Sequence, residues 1–222
     1  MGFFANSPEY RALGLNIETF MNVMINLLTF NTILGASKQA KQIWRERSAA
    51  GLSGSVFAYF FFYCLAFIIY GIEKGAINMV VAGSVFLAYI PTLLGMWRFG
   101  DSGEKKGLVI FSSVFATMPV VMAVLEPRSR EGFLGVLLVG MFIVLIVGFE
   151  KFRRTPGLGN VNPSFSWAFL IAGVFWSWYS YTLGEVGLIC FNAGMVLIMS
   201  ATLVLYYSRK RKATFINNFP KV

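Results

Sequence analysis

Seven long apolar runs, separated by short polar segments, constrain this chain more than any other feature of its sequence. A helix needs about 20 apolar residues to cross about 30 Å of hydrocarbon, and most of the runs approach that length. The runs are continuously apolar and do not alternate, which favours helices over the strands of a membrane barrel. The sequence therefore predicts an all-α polytopic membrane protein with seven transmembrane helices, at residues 17–36, 56–72, 76–97, 108–125, 133–148, 165–183 and 186–207.

Composition narrows the classes of function. Only 13% of the 222 residues are charged, whereas a soluble domain carries about 25%. The net charge of +9 lies in short runs between apolar segments, so we expect a lipid bilayer around the chain and no nucleic-acid partner. There is no His, and Cys64 and Cys190 both fall inside apolar runs. We therefore expect no metal site, no cofactor, no catalytic residue and no enzymatic activity.

Lysine and arginine are divided unevenly between the two sides of the predicted bundle. The segments after the first, third and fifth spans, together with the C-terminal tail, hold fifteen of these residues. The other side holds four, namely Arg11, Lys74, Arg128 and Arg130. Because basic loops stay in the cytoplasm, the sequence predicts an N-terminus outside and a C-terminus inside, in the plasma or inner membrane of the cell.

The order of loops and spans predicts an internal repeat. Spans one to three and five to seven share one rhythm, a basic loop, a span, a tight turn and another span, and the fourth span has no counterpart. Both three-span units start outside, so we expect a 3+1+3 arrangement with parallel repeats. The predicted divisions are a first repeat at 1–100, a linker helix at 101–130, a second repeat at 131–208 and a basic cytoplasmic tail at 209–222.

Two stretches of the first unit resemble a known superfamily. Residues 39–53, Q-A-K-Q-I-W-R-E-R-S-A-A-G-L-S, are similar to the PQ-loop motif, although Lys38 stands where that motif has Pro. Residues 64–71, C-L-A-F-I-I-Y-G, resemble the second helix of SWEET sugar transporters, with Phe67 where a Trp is common. Phe67 is therefore a candidate for substrate contact.

The second unit carries the same resemblance. The sequence W-Y-S-Y that starts at Trp178 is similar to the matching part of the sixth SWEET helix, and Asn192 lies where that family has an asparagine on its seventh helix. The chain thus resembles a diverged SWEET-like member of the PQ-loop superfamily. The resemblance implies that Asn192 and Trp178 contact the substrate. For Trp176, substrate contact and a place in an interfacial aromatic belt both stay open, because aromatic residues on this span can form such a belt.

Polar residues on the first span form one helical stripe. Thr19, Asn22, Asn26 and Thr29 are spaced 3, 4 and 3 apart, so they share a face. An asparagine is costly in lipid, and such residues either line a polar cavity or hydrogen-bond neighbouring helices. We expect Asn22 and Asn26 to line a cavity together with Asn192. On the third span, Asn78 and Tyr89 are weaker candidates.

No Asp, Glu, Lys or Arg falls in the middle of any predicted span, so nothing there can carry a coupled proton. The sequence therefore predicts a uniporter that moves a small neutral solute, with a sugar as the first choice, down its gradient by alternating access. Two alternatives stay open: a vitamin or nucleoside carrier of the nicotinamide riboside type, and a non-transporting PQ-loop receptor or scaffold. A homo-oligomer also stays open.

Overall fold

Nearly all of the described chain is helical. In a computed structural model, the described residues are 14–182 and 186–218, and no strand occurs within them. The helices in chain order are α1 (Ile17–Glu46), α2 (Gly54–Lys74), α3 (Ile77–Gly83), α4 (Phe86–Phe99), α5 (Ser102–Phe115), α6 (Thr117–Val124), α7 (Pro127–Arg154), α8 (Pro163–Thr182) and α9 (Val186–Asn218).

These helices make up seven segments in the described ranges, as the apolar runs predicted. The third segment consists of α3 and α4, and the fourth of α5 and α6. Six of the seven segments are both long and apolar enough to cross a membrane. The remaining one, α8, has 20 residues but is rich in Trp, Tyr and Ser. The prediction of an all-α polytopic membrane protein is confirmed.

Two helices extend well past their predicted ends. Helix α1 continues to Glu46, so Lys38 and Arg45 lie on a helix and not in a loop. Helix α9 runs to Asn218, so the described part of the predicted basic tail is helical as well. Apolarity marks only the part of a helix inside the hydrocarbon, whereas Lys, Arg and Gln are good helix formers that continue it outside.

Helix contacts follow the same pattern in the two three-segment units. In the first unit, α3 and α4 pack against both α1 and α2. In the second unit, α9 packs against both α7 and α8. The units meet where α1 packs on α8 and α2 on α7, while α5 and α6 lie against α2. This pattern agrees with two parallel repeats, and the exact boundaries between them stay a prediction.

Glycines allow close approach at both contacts between the units. A Cβ at Gly35 on α1 would lie 3.0 Å from the Cβ of Ala168 on α8. A Cβ at Gly140 on α7 would overlap the hydroxyl of Tyr59 on α2. That hydroxyl donates a hydrogen bond of 2.6 Å to the carbonyl of Leu137. A larger side chain at either glycine would therefore push the two units apart.

One end of the bundle, here called the basic face, collects most of the cationic residues. It holds the end of α1, the start of α2, the turn between α4 and α5, the connection from α7 to α8, and the part of α9 that follows Tyr207. The other end is called the opposite face. Arg11 and Lys221 lie outside the described residues.

Candidate functional site

A cavity of about 110 Å³ lies at the centre of the bundle, between the two units. Side chains of α1, α2, α3, α4, α7, α8 and α9 line it. Because a cavity needs only about 10–15 Å³ of free volume to hold one water, this cavity has room for several waters or a small solute. Its polar lining residues are Thr29, Thr32, Tyr63, Tyr89 and Asn192.

Asn192 on α9 lines this cavity, as the sequence predicted, and is only 4% exposed. Its Nδ2 donates a hydrogen bond of 2.8 Å to the carbonyl of Leu188, which fixes the orientation of the amide. No described residue donates to its Oδ1. The amide therefore offers an unused acceptor to whatever occupies the cavity.

Hydroxyl groups supply the other polar contacts. Thr29 and Thr32 donate to carbonyls of their own helix, at 3.0 Å and 2.9 Å, and so face the cavity with acceptor capacity left. The hydroxyls of Tyr63 and Tyr89 make no hydrogen bond with any residue the structure describes, although Tyr89 is only 1% exposed. Two donors are thus available to a solute.

Thr32 and Tyr63 were absent from the sequence prediction. Thr32 continues the polar stripe of the first span by three residues beyond Thr29, so a signal for it existed. Tyr63 lies one helical turn before Phe67, which was predicted. Each of them lies on the same helical face as a residue that the sequence analysis had named, and this shared face could have identified both as cavity-lining residues.

Phe67 and Trp176 form an aromatic wall of the cavity. Their ring centroids are 6.3 Å apart in an edge-to-face arrangement. Phe67 also stacks on Tyr63 at 5.5 Å, and Trp176 meets Tyr179 edge-to-face at 5.6 Å. The rings are therefore held in place by one another and present flat faces and edges to the cavity.

Trp178 does not line the cavity, contrary to the prediction. Its side chain is 58% exposed on the outside of α8. Two residues along an α-helix correspond to a rotation of about 200°, so Trp176 and Trp178 must point to nearly opposite sides. Trp176 occupies the position that the sequence assigned to Trp178.

Asn22, Asn26 and Asn78 bind one another instead of facing the cavity. Asn26 Nδ2 donates to Asn78 Oδ1 at 2.9 Å, and Asn78 Nδ2 donates to Asn22 Oδ1 at 2.8 Å. Asn78 is 1% exposed, and none of the three lines the cavity. This asparagine triad joins α1 to α3, so the prediction that Asn22 and Asn26 share a cavity with Asn192 is wrong.

Thr19, the first residue of the predicted stripe, belongs to the start of α1. Its backbone N–H donates to Asn16 Oδ1 at 2.8 Å, and its hydroxyl accepts from the N–H of Gly14 at 3.0 Å. These are contacts of a helix N-terminus. Thr19 therefore lies in the first turn of α1, which Asn16 caps, while the two asparagines bind α3 and Thr29 lies at the cavity.

Four phenylalanines separate the central cavity from a second one of about 70 Å³ nearer the basic face. Phe57 and Phe60 come from α2, and Phe165 and Phe169 from α8. The centroid distance is 5.3 Å between Phe57 and Phe165 and 4.9 Å between Phe60 and Phe169. This phenylalanine layer joins the two units and closes the central cavity on that side.

Gln39 provides a second closure at the basic face. Its Nε2 donates to the carbonyl of Asn160 at 2.8 Å, and its Oε1 accepts from the N–H of Asn162 at 2.8 Å. Gln39 is 1% exposed. The end of α1 is thereby bound to the segment that leads into α8, and the backbone N–H of Asn160 adds a bond of 2.7 Å to the carbonyl of Ala50.

Charged groups stay away from both cavities. Among the described residues, no Asp, Glu, Lys or Arg lines either of them. Ion pairs lie near the two ends of the bundle: Arg130 with Glu73 at 2.5 Å and Lys151 with Glu104 at 2.6 Å. The central site can therefore offer hydrogen bonds and aromatic surface, but no formal charge.

Comparison with solved structures gives an informative likeness. No family model matches the sequence, and no curated protein matches it. A solved structure of a eukaryotic SWEET transporter, at 3.7 Å resolution, aligns with a TM-score of 0.52. The chain has a SWEET-like fold. The alignment covers 85% of this chain and 99% of that transporter, with 16% sequence identity, so the likeness concerns the arrangement of helices.

Proposed function

We propose that this chain is a membrane transporter for a small uncharged solute, with a sugar as the first candidate. The observation that carries the proposal is the central cavity between the two units, which is uncharged, partly polar and rich in aromatic rings. A scaffold has no need of such a cavity. The SWEET-like fold supports the same conclusion.

The cavity offers a defined set of contacts to a solute. Asn192 Oδ1 accepts, the hydroxyls of Tyr63 and Tyr89 donate, and the ring of Trp176 supplies an apolar face. Each hydrogen bond would contribute about 0.5–1.5 kcal/mol, and more where water is excluded. This combination suits a molecule with several hydroxyls on a ring that also has an apolar face.

Alternating access would take place where the two units meet. The phenylalanine layer and the Gln39 contacts both join the first unit to the second at the basic face. A path from the central cavity to that face therefore opens only if these contacts separate. Movement of one rigid unit against the other would do so, which is how carriers with repeats work.

A nucleoside or a related vitamin is the second candidate. Aromatic side chains make up a large part of the cavity wall, namely Phe60, Tyr63, Phe67, Tyr89, Phe169, Trp176 and Phe191. Such a wall also fits a flat heterocycle, which would stack against Trp176 or Phe67. The absence of charged lining residues disfavours a phosphorylated form of either candidate.

Uptake into liposomes that contain the purified full chain tests the proposal. Radiolabelled sugars, nucleosides and neutral amino acids would be supplied one class at a time, with protein-free liposomes as the control. We expect one class to enter until its concentration is equal on both sides. If no class enters faster than in protein-free liposomes, while the protein is folded and inserted, the proposal fails.

We further propose that the basic face lies in the cytoplasm, because most Lys and Arg residues of the chain are there. The test is a single cysteine at Ser102, with Cys64 and Cys190 changed to Ser. We expect a membrane-impermeant maleimide to label it only after the cells are permeabilised. Labelling of intact cells would reverse the orientation.

A further inference from the structure

A groove on the outer surface of the bundle lies between α8 and α9, close to the basic face. It has a volume of about 490 Å³ and shares no lining residue with the central cavity. Trp167 and Leu170 of α8 form one wall, and residues of α9 from Ser200 to Arg211 form the other. Because the groove opens outward from the bundle, it faces the lipids of the surrounding bilayer.

The wall formed by α9 changes in polarity along its length. Ser200, Val204, Tyr207 and Arg211 follow one another at intervals of 4, 3 and 4 residues, so they share one helical face. Val204, toward the middle of the membrane, is 71% exposed, and Arg211 is the last lining residue toward the basic face. From Val204 onward, the groove therefore passes from apolar to cationic in the direction in which a phospholipid passes from chain to headgroup.

Two aromatic residues mark the level between these two ends. Trp167 Nε1 donates a hydrogen bond of 3.2 Å to the hydroxyl of Tyr207. The two side chains are 44% and 39% exposed. Trp and Tyr are enriched where hydrocarbon gives way to headgroups, so this pair places the basic end of the groove at headgroup depth.

Arg211 is available as a cation, in contrast with Arg209. Arg209 donates four hydrogen bonds, of 2.6–3.0 Å, to backbone carbonyls at the end of α7 and just after it. Arg211 is exposed and makes no hydrogen bond or ion pair with any described residue. Its guanidinium has five donors in a planar fork, which suits the oxygens of a phosphate.

We propose that this groove binds an anionic phospholipid from the leaflet at the basic face. An acyl chain lies against Leu170 and Val204, and the phosphate binds Arg211, with the Ser208 hydroxyl beside it. The site does not depend on which solute the cavity carries. If the basic face is cytoplasmic, as proposed above, the leaflet concerned is the one that is rich in anionic lipids.

Native mass spectrometry of the purified full chain, released from micelles that contain equal amounts of phosphatidylglycerol and phosphatidylcholine, tests this site. We expect retained phosphatidylglycerol to exceed retained phosphatidylcholine. Arg211→Gln should reduce the bound anionic lipid about fivefold, the factor that corresponds to about 1 kcal/mol for a basic residue at a lipid surface. Arg211→Lys should keep most of it.

Lys212→Gln is the matched control, because it removes one charge from the neighbouring residue, which does not line the groove. We expect no change in lipid retention for it. Equal losses in Arg211→Gln and Lys212→Gln would mean a diffuse charge effect and would overturn the site. No loss in Arg211→Gln would overturn it as well. The melting temperature of each variant, measured in parallel, shows that the protein is still folded.

Two further measurements distinguish a phospholipid-binding site from a site for a free anion. Glycerol 3-phosphate at the same concentration should not displace phosphatidylglycerol, because it has no acyl chain to bury against Leu170. Displacement by it would show a simple anion site and contradict the proposal. Trp167→Ala, which removes part of the wall, should reduce retention of both lipids, whereas unchanged retention would show that the lipid lies elsewhere.

Discussion

The asparagine triad and Asn192 show two different ways to keep an amide inside a membrane. In the triad, Asn22, Asn26 and Asn78 hydrogen-bond one another across α1 and α3, although the buried Asn26 Oδ1 has no partner among the described residues. Among the described residues, Asn192 is bound only to the preceding turn of its own helix, through Nδ2, and it lines the central cavity. The first arrangement stabilises the bundle, and the second leaves an acceptor for a solute.

The difference teaches that residue type and depth do not decide the role of a buried amide. Any asparagine in lipid needs a hydrogen-bond partner, and either a neighbouring helix or a solute can provide it. What separates stability from function is whether that partner belongs to the protein. Substitutions at the two places should therefore change different measurements.

The largest effect should come from Asn192→Ala. We expect solute uptake into liposomes to fall at least about tenfold, since the solute loses the acceptor that Asn192 offers inside the bundle. The melting temperature should change little, because the lost bond to Leu188 lies within one helix. Normal uptake together with a lower melting temperature would show instead that Asn192 has the same structural role as the triad.

Trp176 and Trp178 allow the same contrast within one helix. Trp176→Ala should lower uptake about fivefold, because the solute loses an aromatic face, and Trp176→Phe should restore part of it. Trp178→Ala should leave uptake within about twofold of the wild type, since its side chain faces outward. Equal losses for both alanine variants would mean that the cavity does not hold the solute.

Asn78→Ala should act on stability. We expect the free energy of unfolding to fall by about 1–2 kcal/mol, because two interhelical hydrogen bonds are lost. Uptake per folded molecule should stay near that of the wild type. Denaturation in mixed micelles measures the first quantity, and liposome assays normalised to folded protein measure the second.

Asn31→Ala serves as the control for Asn78→Ala. Asn31 lies on α1 and makes no side-chain hydrogen bond with the part of the chain that the structure describes, so its loss should leave the unfolding free energy nearly unchanged. If Asn31→Ala lowered the free energy of unfolding as much as Asn78→Ala, the hydrogen bonds of the triad would not be the cause of the loss in Asn78→Ala.

The smallest expected effect is that of a protonophore on uptake. Neither the triad nor Asn192 can take up a proton in the physiological range, and no Asp, Glu, Lys or Arg lines the central cavity within the described ranges. The final level of solute in sealed vesicles should therefore be the same with and without a proton gradient. Accumulation that the protonophore abolishes would reveal a coupled ion site.

The fold could be predicted from the sequence because one property, the length of the apolar runs, decides it. Crossing the hydrocarbon requires helices of a set length, and this requirement holds whatever the neighbours are. The ends of α1 and α9 were missed because they lie outside the hydrocarbon, where apolarity carries no information. Lys38 and Arg45 are good helix formers that continue α1, and the contacts of Gln39 with the segment before α8 hold this end in place.

The candidate site was only partly predictable. Asn192 and Phe67 were predicted, and the structure places both at the cavity. Asn22 and Asn26 were predicted for the same cavity, and periodicity correctly gave them one face, but it could not tell that Asn78 would meet that face. Which side of a helix touches which neighbour depends on packing between distant segments, and a single sequence does not contain this information in readable form.

Helix α9 is long enough for a small tilt to move its end by several ångströms. Its 33 residues correspond to about 50 Å at about 1.5 Å per residue, so roughly 20 Å must project beyond a hydrocarbon layer of about 30 Å. Asn192 lies in its second turn, at the far end. A tilt of about 5° over the whole helix would move its projecting end by about 4 Å. A small tilt of α9 beside the cavity would therefore produce a larger displacement of its projecting end. A fluorescent label attached outside the membrane would detect that displacement.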